Sequence, residues 1–325
     1  MTHEISLSPE GIENFWLLRS GEGRLDIQGS ARGVQLISNS QDLLYRVPTH
    51  VLETSRNSLL PNKLVLIEDE DVLDISPNER GSTTIVYGDR RLSADTEPGK
   101  YLQRDLVWIA LPLLEQSRQA GGQYLVHGSA VDIDGQGVLF IGPTHSGKTS
   151  LATALGFKYG HSIIATEHAL LGPQGVEGGT HIMELYRGLK NHIPCIPVEP
   201  PEGDGWDRQS RTEIDLVACG KHSIGAPLSR IVWVQVVHES EEITHTTWSP
   251  RKSKVMLSEA MSWMINSSQS FVHDFTSKLP SLDFDPEIRA RRIRQINDWV
   301  DNQGLRIDYI KGNADAIAER VLELI

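Results

Sequence analysis

The stretch Gly142-Pro143-Thr144-His145-Ser146-Gly147-Lys148-Thr149 decides how the rest of this chain is read. It has the form Gly-x4-Gly-Lys-[Ser/Thr], and each part of that pattern has a separate job. The glycines let the backbone turn tightly, so that successive N–H groups converge on phosphate oxygens. A helix that starts at the lysine presents its positive end to the same oxygens. Lys148 reaches the β- and γ-phosphates of a nucleoside triphosphate, and the Thr149 hydroxyl is placed to ligate Mg2+. The expected ATP contacts are therefore Gly142, Pro143, Thr144, His145, Ser146, Gly147, Lys148, Thr149 and Ser150, with ATP and Mg2+ as the cofactors.

Working outward, the flanks have the arrangement such a loop needs. The apolar run Val138 to Ile141 reads as a strand that leads into it, and Leu151 to Phe157 reads as the helix that leaves it, stopped by Gly160. Upstream, the β-rich run Tyr124 to Ile133 is joined to Val138 to Ile141 by Asp134-Gly135-Gln136-Gly137, a hairpin signal. This spacing puts His127 on the strand that enters the hairpin. Ser162 to Thr166 forms the next strand, and Glu167 at its tip is the first acidic residue after the loop. One helix and one strand separate Glu167 from Lys148, so that strand is expected close to the loop's own strand, with Glu167 near the metal. Ser229 to Val237 and Arg306 to Ile310 read as further strands and Ala314 to Leu324 as a closing helix. Alternating strands and helices are the mark of an α/β layer architecture.

The first hundred residues read differently. Val34 to Ile37, Leu64 to Ile67 and Thr83 to Tyr87 are strand-like runs separated by turn formers, with no readable chemistry. Tyr101 to Ala120 has apolar residues at helical spacing, a kink predicted at Pro112 and a stop at Gly121-Gly122. The expected organisation is a β-rich α+β N-terminal domain over 1–100, a connecting helix over 101–122 and the loop-bearing domain over 123–325.

Composition is that of an ordinary globular protein, with 39% hydrophobic and 23% charged residues. The net charge of −12, without a dense basic stripe, speaks against a sequence-independent grip on nucleic acid. The cluster Arg289, Arg291, Arg292 and Arg294 lies in a helical run and reads as a solvated face. Cys195 and Cys219 stand too far apart and too isolated for a zinc site or a disulfide scaffold. No apolar stretch approaches the ~20 residues that span a bilayer, and no signal peptide is visible, so the expected location is cytoplasmic with no membrane partner. The segment Gly203 to Arg211, with Trp206, Arg208 and Arg211, reads as a long loop able to close over an acceptor. No Asn-Lys-x-Asp motif follows the loop, which argues against a GTPase.

Leu125-Val126-His127-Gly128-Ser129-Ala130-Val131-Asp132, Gly135, Gly137-Val138-Leu139-Phe140-Ile141-Gly142, the loop itself and the run through Gly160-His161 to Glu167 together resemble the kinase domain of HPr kinase/phosphorylase. The similarity covers about forty-five residues, and Glu184-Leu185-Tyr186-Arg187-Gly188-Leu189 is similar to that family's Glu-x-Arg-Gly-Leu signature with one residue inserted. The resemblance implies a phosphoenolpyruvate-carboxykinase-like P-loop domain with a mixed β-sheet. It implies an ATP- and Mg2+-dependent kinase acting on a hydroxyl of a peptide, a protein or a small molecule, in a homo-oligomer; a peptide-tailoring kinase is one branch of similar build. It further implies active-site places for His127 and Lys148 and metal contacts for Thr149, Glu167 and Glu184. Where the family has two aspartates, this chain has Thr166 and Glu167. A threonine hydroxyl is no general base near neutral pH, which leaves Glu167, His127 or His168 for that role. The departure argues against phosphorylation of the HPr carrier itself and keeps a second expectation open, a nucleotide-binding pseudokinase or regulatory subunit. If the site is merely degenerate, Thr166→Asp should raise turnover.

Overall fold

A computed structural model describes the backbone of seven strands within the first hundred residues. Beyond them it describes residues 112, 115–116, 118–186, 211–237, 240, 242–266, 271–272, 277–278, 281–283 and 285–325. The chain divides into two compact units, one of Met1–Tyr124 with Ser262–Arg291, the other of Leu125–Met261 with Arg292–Ile325.

In the first unit, β1 (His3–Ser6), β2 (Trp16–Ser20), β3 (Arg24–Gln28), β4 (Gly33–Ser38), β5 (Asn62–Glu68), β6 (Val72–Pro77) and β7 (Thr83–Asp89) form one sheet. Its order is β1-β2-β3-β4-β5-β7-β6. The first three pairings and the last are antiparallel, whereas β4–β5 and β5–β7 are parallel, so this sheet is mixed. The three strand-like runs expected here fall on β4, β5 and β7. Residues 118–121 are helical, and the helix closes with Gly122 N–H donating to Gln119 O and Gln123 N–H to Arg118 O, a Schellman arrangement.

The second unit is mixed α/β around a mixed sheet of six strands. Its strands are β9 (Ser129–Ile133), β10 (Gln136–Ile141), β11 (Ser162–Ala165), β16 (Leu228–Val236), β17 (Thr244–Thr247) and β20 (Ile307–Gly312), in the order β11-β9-β10-β16-β20-β17. β10, β16 and β20 are parallel, and the other pairings are antiparallel. The β9–β10 hairpin turns through Asp134 (φ 52°) and Gly135 (φ 84°), and Asp132 accepts from the Gly135 N–H at 2.8 Å. Positive φ at both central residues is the turn that matches strand twist, which is why Asp-Gly signals it in sequence.

One face of this sheet is covered by helix α1 (Lys148–Thr153), its π-helical continuation Ala154–Lys158, and a C-terminal helix, Ala314–Glu323. Val138, Phe140, Val232, Val234 and Ile310 from the strands pack there against Leu151, Ala152, Leu155, Ile317, Ala318 and Val321, all buried. Burying each such aliphatic side chain stabilises by roughly 1.5–3 kcal/mol, so this layer anchors the start of α1. The C-terminal helix is capped by Asn313, whose side chain accepts from Ala316 N–H at 2.8 Å.

Three expectations are corrected or sharpened. The run Tyr124 to Ile133 is not one strand. It breaks at Gly128 into β8 (Tyr124–His127), which belongs to a three-stranded sheet with β12 (His168–Gly172) and β13 (Gly175–Gly179), and β9 in the six-stranded sheet. A side chain at 128 would stand 2.6 Å from the Phe140 carbonyl oxygen, so only glycine lets the chain switch sheets there. Second, β11 lies close to β10, as expected, but one strand removed from it, with β9 between them. Third, Arg292 on the helix Pro286–Asn297 is buried, while Arg289, Arg291 and Arg294 are exposed. Among the described residues no helix is long and apolar enough to cross a membrane.

Candidate functional site

The glycine-rich loop leaves β10 at its C-terminal end and enters α1 at Lys148. Its backbone is unusual for a non-glycine chain, with φ 149° at Gly142, 63° at His145 and 91° at Gly147. Gly147 is irreplaceable on two grounds: its φ is left-handed, and an added Cβ would lie 2.3 Å from Val236 Cγ2. The loop is tied to the sheet by Val236 N–H donating to Ser146 O at 2.8 Å. Pro143, Thr144 and His145 are exposed at its rim, and the hydroxyl of buried Ser146 has no hydrogen-bond partner among the described residues.

Lys148 is 6% exposed, and its Nζ donates back to the carbonyls of Gly142 at 3.1 Å and Pro143 at 2.9 Å. Burial lowers its pKa to about 8, with Glu167 acting in the opposite sense. Near neutral pH the amine is therefore still a cation, held by neutral acceptors and the field of one exposed carboxylate.

The turn after β11 gathers the remaining candidates. The Thr166 carbonyl accepts from Ser129 Oγ at 2.5 Å and from Thr149 Oγ1 at 3.2 Å, joining β9, α1 and the end of β11 at one atom. The Glu167 carbonyl accepts from Gly128 N–H at 2.9 Å, which draws the His127 end of β8 to the same turn. Although β11 is one strand removed from β10, it runs parallel to it, so its C-terminal end still arrives at the loop. Glu167 itself is exposed.

His127 and His168 meet edge-on with ring centroids 5.7 Å apart. Burial, then the charge of Lys148, then His168 lower the His127 pKa to about 3, so the ring is neutral through the physiological range. A base that weak takes up a proton only when a negative charge arrives beside it. His168 is 4% exposed.

Thr166 is turned away from this opening. Its buried hydroxyl faces the carbonyls of Ile182 at 2.9 Å and Thr180 at 3.1 Å. The structure thus brings His127, the loop, Lys148, Thr149, Ser150 and Glu167 to one end of the sheet. Glu184 is placed by backbone alone on β14 (Ile182–Tyr186), in register with Glu213 of β15 (Arg211–Asp215). Cys195, Trp206 and Arg208 lie outside the described residues. Thr180, which contacts the turn through both backbone and side chain, carries no motif and is not among the residues expected from sequence.

Among the described residues no three His, Cys, Asp or Glu side chains are grouped to hold a metal by themselves. The donors present are a hydroxyl, Thr149, and a carboxylate, Glu167. Hard oxygen donors of this number suit Mg2+, which takes one or two protein ligands and fills the rest of its shell with water and substrate phosphates.

No protein-family model matches the chain, and no curated protein matches it.

Proposed function

We propose that the chain is an ATP- and Mg2+-dependent kinase that transfers the γ-phosphoryl group to a hydroxyl of a peptide, protein or small-molecule acceptor, on a P-loop domain of the HPr-kinase type. The observation that carries this reading is the convergence of Lys148, Thr149 and Glu167 at the C-terminal ends of β10 and β11. Phosphoryl transfer is chiefly positioning and electrostatic stabilisation, which asks for a cation on the phosphates, oxygen donors for the metal and a proton acceptor for the hydroxyl. Lys148, with its loop amides, fits the first role. Thr149 and Glu167 fit the second, and the resemblance adds Glu184 to them. For the third, Glu167 is the available carboxylate; His127, kept neutral first by burial and then by Lys148, gains only part of its basicity back when triphosphate offsets Lys148.

The test is acceptor-dependent ADP formation across a panel of hydroxyl-bearing peptides and metabolites, with ATP binding followed by calorimetry. Lys148→Ala should remove both signals while the chain stays folded. A chain that binds no ATP sinks the proposal.

A second reading, a nucleotide-binding regulatory subunit without turnover, is favoured by Thr166. Its hydroxyl is engaged with two carbonyls and cannot double as an acid–base group. ATP binding without phosphorylation of any acceptor would select it.

A further inference from the structure

The turn that carries Glu167 and His168 is held by a residue thirteen positions away, Thr180. Glu167 N–H donates to Thr180 Oγ1 at 3.0 Å and His168 N–H donates to the same oxygen at 3.1 Å. The backbone of Thr180 joins in, with Thr180 N–H donating to His168 O at 2.9 Å and Thr166 N–H donating to Thr180 O at 3.0 Å.

Counting protons fixes the direction of the side-chain bonds. A hydroxyl has one hydrogen and two lone pairs, and a backbone N–H can only donate. Thr180 Oγ1 therefore accepts twice and keeps its own hydrogen for Thr166 Oγ1, 3.4 Å away. Thr166 Oγ1 in turn donates its one hydrogen towards the carbonyls of Ile182 at 2.9 Å and Thr180 at 3.1 Å. The chain of bonds runs from the two amides, through two hydroxyls, to these carbonyls.

From this we infer that Thr180 is a positioning residue of the site, whose hydroxyl sets the direction in which Glu167 presents its carboxylate to a metal-bound triphosphate; the inference rests on the nucleotide-binding function proposed above. The geometry supports a role beyond general stability. Each of the two peptide planes that flank Glu167 is held at both edges, at its carbonyl by Ser129 and Thr149 or by Gly128, and at its amide by Thr180 Oγ1. Without an acceptor at 180 both planes lose the hold on their amide edge, and the direction of the exposed Glu167 side chain between them loosens. Outer groups that aim a metal ligand commonly change metal affinity by 10–100-fold when removed, without touching the metal.

The experiment is calorimetric titration of the full chain with ATP, in EDTA and in Mg2+, for the unmodified protein, Thr180→Val, Thr180→Ser and Glu167→Ala. The expected result is that Thr180→Val lowers the Mg2+-dependent gain in ATP affinity by roughly tenfold and leaves metal-free ATP affinity within about twofold, while Thr180→Ser restores the gain. Combining Thr180→Val with Glu167→Ala should add nothing to Glu167→Ala alone, because the hydroxyl acts through that carboxylate. An undiminished Mg2+ gain in Thr180→Val, or additive losses in the double variant, overturns the inference. Should Thr180→Val fail to fold, hydrogen exchange on the unmodified chain decides: the Glu167 and His168 amides should both be protected, and exchange of either at the rate of an open loop overturns it. Absence of ATP binding by the unmodified chain is a different failure, that of the proposed function itself.

Discussion

The six-stranded sheet carries two polar sites that handle buried charge in opposite ways. Between β16, β17 and β20, Asp308 is 1% exposed and fully answered. Its carboxylate meets Arg230 Nη1 at 3.1 Å, His245 Nε2 at 3.1 Å and Thr247 Oγ1 at 2.5 Å. Arg320 approaches His245 Nδ1 at 3.1 Å through Nη2, and because arginine only donates, His245 is neutral at Nδ1 and donates from Nε2 to Asp308. Burial pushes the Asp308 carboxyl up, but the hydrogen bonds from Thr247 and His245 and the charge of Arg230 outweigh it and hold the group below the ordinary carboxylate range. At the loop the opposite holds: Lys148 is buried among neutral acceptors, His127 is kept neutral, and Ser146 keeps a buried hydroxyl without a partner among the described residues. A closed network serves the fold. A set of donors left short of negative charge fits the triphosphate proposed to bind there.

The largest effects should come from removing the central charge of each site. Lys148→Met should weaken ATP binding by about 100-fold, roughly 2.7 kcal/mol, while leaving thermal stability unchanged or higher, because a buried cation has been removed. Asp308→Ala should do the reverse. It leaves the His245 Nε2–H without its acceptor and takes the carboxylate from Arg230, which keeps the Leu324 carbonyl. The cost is on the order of 2 kcal/mol of unfolding free energy, with ATP affinity unaltered. Calorimetry and urea unfolding on both variants read the contrast, and a common loss of stability and binding in either would erase it.

Acid should separate the sites next. The His127 pKa is lowered by folding, so the unfolded chain binds the proton first and stability falls as pH drops from about 6.5 towards 3. Asp308 contributes stability that is present above the ordinary carboxylate range and lost only as pH falls through its lowered folded value. His127→Gln should therefore recover about 2–3 kcal/mol of the stability lost between pH 7 and pH 4.5, measured by urea unfolding at both. An unchanged loss would mean that His127 is not buried as a neutral ring.

How much of this was legible in the chain depends on whether the cause is local. The hairpin at Asp134-Gly135 and the loop at Gly142–Thr149 are written in contiguous residues whose φ requirements only certain side chains meet, so their sequence announces them. β10, β11, β16 and β20 were legible as apolar runs rich in β-branched residues, whereas β12, β13, β14, β15 and β17 were not read as strands. The break at Gly128 was not, because it depends on the Phe140 carbonyl twelve residues away and the flanking run reads as unbroken strand. The proximity of Glu167 was legible but its reason was not: parallel alignment of β11 with β10 brings it to the loop, despite β9 between them. Thr180 left no trace at all, since a hydroxyl accepting two amides has no spacing rule. Buried Arg292 shows the same limit, a charge whose burial no helical pattern declares.

Thr166 gives the smallest expected effect and the one on which sequence and structure disagree. Read against a pattern with two aspartates, Thr166→Asp should restore a missing carboxylate and raise turnover. The structure argues otherwise. At this position the side chain must donate, because it faces the Ile182 and Thr180 carbonyls at 2.9 and 3.1 Å, and it is 2% exposed. An ionised aspartate brings two acceptors against two acceptors and has only the Thr180 hydroxyl to turn to. The variant should lose about 1–2 kcal/mol of stability, with its introduced carboxyl titrating well above the usual range, and should gain no turnover. Thr166→Ser, which keeps the donor, should lose less than about 1 kcal/mol, chiefly from the missing methyl. Urea unfolding of the three proteins, with ADP formation in parallel, decides between the readings. A stable and faster Thr166→Asp would mean that the hydroxyl faces the loop opening and not the carbonyls behind it.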